Sequence, residues 1–244
     1  MKYNIVITSG GTSERIDNVR KITNSSSGKL GCTIANKLLE EIPDQINKIY
    51  YISTNNSYRP DHKKVKYVEI EDTADLKNKV EELLRNNKID YFIHSMAVSD
   101  YTVDFVTTAK QIVENIKENK ENDLYKSICS NKNSIKANKI SSYEDDLIIK
   151  LKRTPKIISL IKDISPNTFL VGFKLLDKVS KEELLSIAIN LRDKNKCDLV
   201  VANDLDSIRN GQHQAYIIRK DDSYMGAKTK EDIAEKLINE MINK

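Results

Sequence analysis

Two glycine-bearing segments near the amino terminus have the residue types that hold a phosphate. Gly10, Gly11 and Thr12 follow an apolar run at residues 4–8. Glycine there brings backbone N–H groups close to an anion, because it accepts positive φ and has no Cβ to intrude. The spacing is neither GxGxxG nor GxxxxGK[ST], and a plain tight turn stays open as the alternative. The second segment, Asn24-Ser25-Ser26-Ser27-Gly28-Lys29-Leu30-Gly31, sets small hydroxyl and glycine residues directly before an apolar stripe of helical spacing. A helix N-terminus carries unpaired N–H groups and about half a positive charge, so a phosphate is favoured there. A serine N-cap is the competing reading of the same residues.

Such segments act only if a scaffold presents them. The run at 4–8 reads as a buried strand, and Leu30, Ile34, Ala35, Leu38, Leu39 and Ile42 as a helix stopped by Pro43. Short strands are expected at 48–53 and 65–70 and a helix at 73–86 with Leu76, Val80, Leu83 and Leu84 inside. A strand at 90–95 delivers Met96, Ala97, Val98, Ser99 and Asp100 at its C-terminal end, the edge where open parallel sheets bind ligands. Residues 102–139 turn rich in Lys, Asn and Glu, which predicts a long, mobile excursion rather than a core element. Alternation returns at 147–152. Thr154-Pro155 opens a short helix, 169–175 is a buried strand, and 181–194 a helix. A strand at 198–202 ends at Asn203 and Asp204, 214–219 reads as an edge strand, and a last helix starts near Thr229. Strands alternating with helices predict one Rossmann-like, doubly wound, mostly parallel α/β domain over residues 1–244, with a flap or dimerisation arm around 102–140.

Composition removes several function classes. The 40 basic and 36 acidic residues are intermixed, and no basic tract is interleaved with aromatics, so nucleic acid is not an expected partner. Apolar runs last only a few residues, against the roughly 20 that span a bilayer, and no signal-peptide pattern opens the chain; the reading is cytoplasmic, with no membrane partner. Cys32, Cys129 and Cys197 form no CxxC pair, and His62, His94 and His213 show no metal-ligand spacing, so no protein-held metal is expected.

The string GGTSERIDNVRKITNSSSGKLG resembles the N-terminal signature of the phosphopantothenoylcysteine synthetases. Ala97-Val98-Ser99-Asp100-Tyr101, Lys139-Ile140-Ser141-Ser142, Val171-Gly172-Phe173-Lys174-Leu175 and Val201-Ala202-Asn203-Asp204 resemble later motifs of that family, in its order. The resemblance implies a ligase that joins 4'-phosphopantothenate to L-cysteine through an acyl-nucleotidyl intermediate, with CTP, or else ATP, as co-substrate and Mg²⁺ carried by the triphosphate. It also implies the stand-alone form of the enzyme and a homodimer. Carried over by position, Gly10, Ser26, Gly28 and Gly31 line the triphosphate, and Phe173 and Asn203 flank the nucleoside. Lys139 stabilises charge as the acyl-nucleotidate forms, and Asn24 and Arg20 hold the acyl intermediate. Met96, Ala97 and Asp100 contact substrate, Asp100 also the nucleotide, and Lys174 and Lys194 reach phosphates. Residue type alone leaves other roles open: a solvated surface lysine for Lys139, a turn for Asn24, a surface ion pair for Arg20 and a helix N-cap for Asp100. An NAD(P)-dependent oxidoreductase would fit the sheet but lacks the glycine fingerprint and its acidic partner. A non-catalytic nucleotide-sensing module would need the glycines but neither Lys139 nor Asn24.

Overall fold

The computed structural model describes residues 2–118, 124–130, 134–135, 137–209 and 213–242. In chain order the elements are β1 (Tyr3–Ser9), β2 (Ser13–Arg15), β3 (Lys21–Thr23), α1 (Lys29–Glu41), β4 (Ile46–Ser53), β5 (Val65–Glu69), α2 (Thr73–Asn86) and β6 (Tyr91–His94). There follow β7 (Tyr101–Thr108), α3 (Ala109–Glu118), α4 (Leu124–Cys129), β8 (Leu147–Arg153), α5 (Ile157–Ile164) and β9 (Phe169–Leu176). The chain continues through α6 (Lys181–Asn195), β10 (Leu199–Asp204), α7 (Leu205–Arg209), β11 (Ala215–Ile218), β12 (Tyr224–Ala227) and α8 (Lys230–Ile242).

Strands apolar on both faces need cover on both faces, and here helices supply it. Ile5, Ile7, Ile49, Ile93, Val171 and Val201 pack with Ile34 and Leu38 of α1 and with Ile233 and Leu237 of α8. The alternate residues Val6, Ile52, Phe92, Leu170 and Val200 pack with Leu76 and Val80 of α2, Ile161 of α5 and Leu184 of α6. The eight-stranded sheet runs β12-β11-β10-β9-β6-β1-β4-β5. All neighbours from β5 to β10 are parallel, and β11 and β12 are antiparallel. From β1 the chain winds outward to β4 and β5; from β6 it winds the other way to β9 and β10. The reversal leaves a crevice at the C-terminal ends of β1 and β6, where open sheets of this winding bind ligands.

Three expectations change. Residues 102–139 are not without structure: β7 pairs with β8 in a separate antiparallel ribbon, and α3 and α4 follow it. The composition hid this because the arm supplies little to the main core; Phe105 and Val106 are its buried anchors. Residues 119–123, 131–133 and 136 of that stretch lie outside the described residues. Strand β11 is not the edge, since β12 pairs beyond it; a four-residue strand holding a glycine leaves almost no alternation to read. Finally, β2 and β3 form a small hairpin between the two glycine segments, in a stretch that reads only as polar.

Candidate active site

The crevice between β1 and β6 is built largely from backbone. Ala97 N–H donates to the Gly10 carbonyl at 2.8 Å, and Thr12 N–H to the Ala97 carbonyl at 3.1 Å, which stitches the two strand ends together. Asn24 N–H donates to the Thr12 carbonyl at 3.1 Å and brings the second glycine segment alongside. A Cβ on Gly11 would fall on the Asn24 carbonyl, so that approach needs glycine. Gly10 and Gly28 have φ of 88° and 74°, the left-handed region that other L-residues enter at a cost.

Helix α1 begins at this turn. Its N-cap is Gly28, which has no capping side chain, and the nearest serine, Ser27, accepts from the Lys29 N–H through Oγ only at a long 3.4 Å. Ser9 Oγ instead donates to the Gly28 carbonyl at 2.9 Å and fixes the turn from below. Ser26 is exposed and Gly31 buried, with a Cβ on Gly31 2.9 Å from Ser95 Oγ. An uncapped helix start above a glycine turn offers N–H donors and a favourable dipole to an anion.

At the tip of the β2–β3 hairpin, Asp17 gathers two distant parts of the chain. Its carboxylate accepts from the N–H groups of Val19 (2.8 Å), Arg20 (2.7 Å) and Ile140 (3.1 Å) and from Arg20 Nε (3.0 Å). Arg20 also donates to the Ile140 carbonyl, and Asn18 N–H to the Asn138 carbonyl at 3.0 Å. Burial by itself would raise the Asp17 pKa; the Ile140, Val19 and Arg20 N–H groups and the Arg20 guanidinium outweigh it and hold the carboxyl well below the ordinary range. The 138–140 strip, 120 residues away in sequence, is thereby fastened against Arg20. Lys139 lies in that strip and is exposed.

The remaining sequence-derived residues divide. Ala97 is part of the stitched crevice, whereas the Met96 side chain is buried in the core beside α2 and α5. Asp100 is exposed and pairs with Lys156 just before α5; strand β7 follows it, so it caps no helix. Phe173 pairs with Val201, faces the α1–α8 side, and stands one residue beyond Gly172, which pairs with His94. Asn203, two residues beyond Val201, is buried on that same side by strand alternation. Lys174 alternates to the other face, opposite Ala202. Lys194 is at the C-terminal end of α6, which leads into the start of β10; the structure thus places it at the opposite edge of the sheet from Gly10. Sequence reasoning passed over Asp17, Ser9, Lys156 and the 54–58 loop. Asp17 alone had a visible signal, the only carboxylate between the two glycine segments within hydrogen-bonding range of an arginine three residues on. Among the described residues no group of three His, Cys, Asp or Glu side chains gathers to hold a metal. Nor, among them, is any helix long and apolar enough to cross a membrane.

The profile of the DNA/pantothenate metabolism flavoprotein C-terminal domain family matches residues 1–135 and 106–244. The coenzyme A biosynthesis bifunctional protein CoaBC of Thermococcus kodakarensis is 31% identical over 238 residues, which are 97% of this chain and 50% of that protein. Its namesake from Methanocaldococcus jannaschii is 27% identical over 241 residues, 97% of this chain and 50% of the relative. The chain therefore spans about half the length of the curated relatives it matches. Among solved structures, the DNA/pantothenate metabolism flavoprotein from Streptococcus pneumoniae superimposes with a TM-score of 0.83 at 38% identity, covering 99% of this chain and 98% of that one.

Proposed function

Because the chain belongs to the DNA/pantothenate metabolism flavoprotein C-terminal domain family, we propose that it is a phosphopantothenate–cysteine ligase that uses CTP. One observation carries the reading: a helix start with no side-chain cap above a positive-φ glycine turn at the C-terminal ends of β1 and β6; at the tip of the β2–β3 hairpin Asp17 fastens Arg20 to the strip that carries Lys139. Activating a carboxylate needs these parts together, donors for a triphosphate and a cation for the charge that develops on it.

In this reading the N–H groups of Gly10, Ser26, Gly28 and Gly31 hold the phosphates. A carboxylate oxygen of 4'-phosphopantothenate attacks the α-phosphorus, the Pα–O bond to pyrophosphate breaks, and Lys139 balances the charge. The cysteine amine then attacks the acyl carbon, the nucleoside monophosphate leaves, and the amine gives up a proton to form the amide. Asn24 and Arg20 hold the acyl group between the two steps, Asp100 and Ala97 border it, and Phe173 and Asn203 flank the nucleoside. Lys174 and Lys194 have no part, given their face and edge of the sheet. Asp17 and Asp100 are each engaged with a cation, and among the described residues no carboxylates gather around a metal position, so in this reading Mg²⁺ enters on the triphosphate.

The arm supports a homodimer. Val113, Leu124, Tyr125 and Ile128 on α3 and α4 are all exposed, Tyr125 by 76%. Apolar side chains grouped on one projecting element mark an association surface.

The test is pyrophosphate release by the purified chain with 4'-phosphopantothenate, cysteine and Mg²⁺, CTP against ATP, omitting each substrate in turn. We expect release that requires phosphopantothenate and is faster with CTP. Lys139→Ala should abolish release, and Asn24→Asp should retain it while blocking the amide. No phosphopantothenate-dependent release with either triphosphate, or near-normal product from both variants, refutes the reading.

A further inference from the structure

Below the phosphate-facing turn lies a tyrosine that touches no substrate in the mechanism above. The Tyr51 side chain is fully buried in β4, yet its hydroxyl donates to the Tyr58 carbonyl at 3.0 Å. Tyr58 N–H in turn donates to the Ser27 carbonyl at 2.9 Å, so the loop that Tyr51 grips itself grips the residue before Gly28. The same loop is closed internally: Ser57 N–H donates to the Thr54 carbonyl at 3.1 Å, and the Ser57 and Thr54 hydroxyls are 2.9 Å apart. Ser57 fills the space over Gly10 where a Cβ would stand, and its Cβ is 3.2 Å from the place of one on Gly28. From below, Ser9 holds the Gly28 carbonyl. The turn is thus held on one side by β1 and on the other by the 54–58 loop.

We infer that residues 54–58 are a strap that sets the Ser27–Gly28 turn in register for a triphosphate, and that Tyr51 is the positioning residue anchoring this strap. The inference rests on the ligase reading for its ligand, though not for its geometry. A buried hydroxyl under an active-site loop is costly to desolvate unless it is satisfied, and this one spends its single proton on the loop carbonyl. Removing it leaves the Tyr58 carbonyl without that donor and frees the strap, while the ring still fills the core.

The neighbouring residue provides the control. Tyr50 is on the same strand but on the other face, and its hydroxyl donates to Asn87 Oδ1 at 2.9 Å, remote from the turn. Tyr51→Phe and Tyr50→Phe therefore remove the same atom; for Tyr51 that atom also hydrogen-bonds with Ser9, so its loss loosens the turn from both sides, whereas Tyr50 loses only its bond to Asn87. We expect Tyr51→Phe to raise KM for CTP on the order of tenfold, the effect of about 1.4 kcal/mol, with kcat within about twofold. Amide hydrogen exchange should quicken across 24–31 and 54–59 in Tyr51→Phe alone. Ser57→Ala, which leaves the core intact, should move both readouts in the same direction and keeps the test decisive if Tyr51→Phe folds poorly. Exchange in these two segments that matches Tyr50→Phe, together with an unchanged KM and a silent Ser57→Ala, overturns the inference. A wild-type chain without ligase activity refutes the function instead, and the exchange comparison then still decides the strap.

Discussion

Adding one methyl group at Gly28 loads the glycine turn at the start of α1 in two ways. The residue has φ of 74°, and placing an L-residue there costs about 1–2 kcal/mol. The new Cβ would also stand 2.9 Å from Ser9 Oγ, 3.1 Å from Gly10 N and 3.2 Å from Ser57 Cβ, each tighter than ordinary contact. Against this, alanine restricts the unfolded chain and returns about 0.4–1 kcal/mol. With the contacts included, Gly28→Ala should lose about 1–2 kcal/mol, a fall in Tm of roughly 2–8 °C for a chain of this length. Binding should suffer more, because Ser9, Gly10 and Ser57 must all give way at the spot where N–H donors are aimed. Forfeiting one N–H bond to a charged phosphate is worth about 1.5–3 kcal/mol, a rise in KM for CTP of roughly 10- to 150-fold. Gly226→Ala is the matched control, since nothing lies within 4 Å of a Cβ added there. Thermal melts and pyrophosphate-release kinetics on both variants read the two effects. If Gly28→Ala melts and binds CTP as the wild type does, the turn does not face the phosphates and the argument from glycine fails.

Two further outcomes follow from other parts of the molecule. His94 is buried, bonded to Thr8 Oγ1 at 2.8 Å, and burial pushes its pKa down to about 4. Because the folded value is below the ordinary 6.5, the unfolded chain binds more protons between those values. Stability is therefore full above pH 6.5 and is lost as pH falls toward 4, by up to about 3 kcal/mol. Burial lowers the His213 pKa to about 4 as well, so His94→Gln should make the Tm-against-pH curve shallower across that window without flattening it, and a curve parallel to the wild type would refute the assignment. On the arm, the pair Leu124→Glu and Tyr125→Glu should convert a dimer to a monomer by light scattering without lowering the Tm of the main sheet; a dimer that survives both places the interface elsewhere.

Much of the sheet could be read directly because its strands are buried on both faces and its helices carry one apolar stripe each. Residues 73–86 end where the helix does, since Asp72 caps its start by accepting from Asp75 N–H. Two of the three misreadings share a physical cause. Strands β12 and β7 do not depend on a two-sided core, so hydrophobic periodicity, which reports burial, is weak in them, whereas β8 was legible from its alternation at 147–152. Strand alternation was nonetheless enough to separate Phe173 from Lys174, and the direction of α6 enough to send Lys194 to the far edge. Neither follows from motif order alone, which places all three together.

Lys139 shows most sharply where residue type stops being informative. It is an exposed lysine in a lysine-rich stretch, and nothing in its own surroundings separates it from its neighbours. What separates it is Asp17, a carboxylate 122 positions earlier that holds the Ile140 N–H and the Arg20 guanidinium at once. That contact is paid for by desolvating a charge, and such a charge is retained only where several donors converge on it. The donors come from two segments that chain order keeps apart, so the placement of Lys139 is a property of the folded loop pair rather than of the lysine itself.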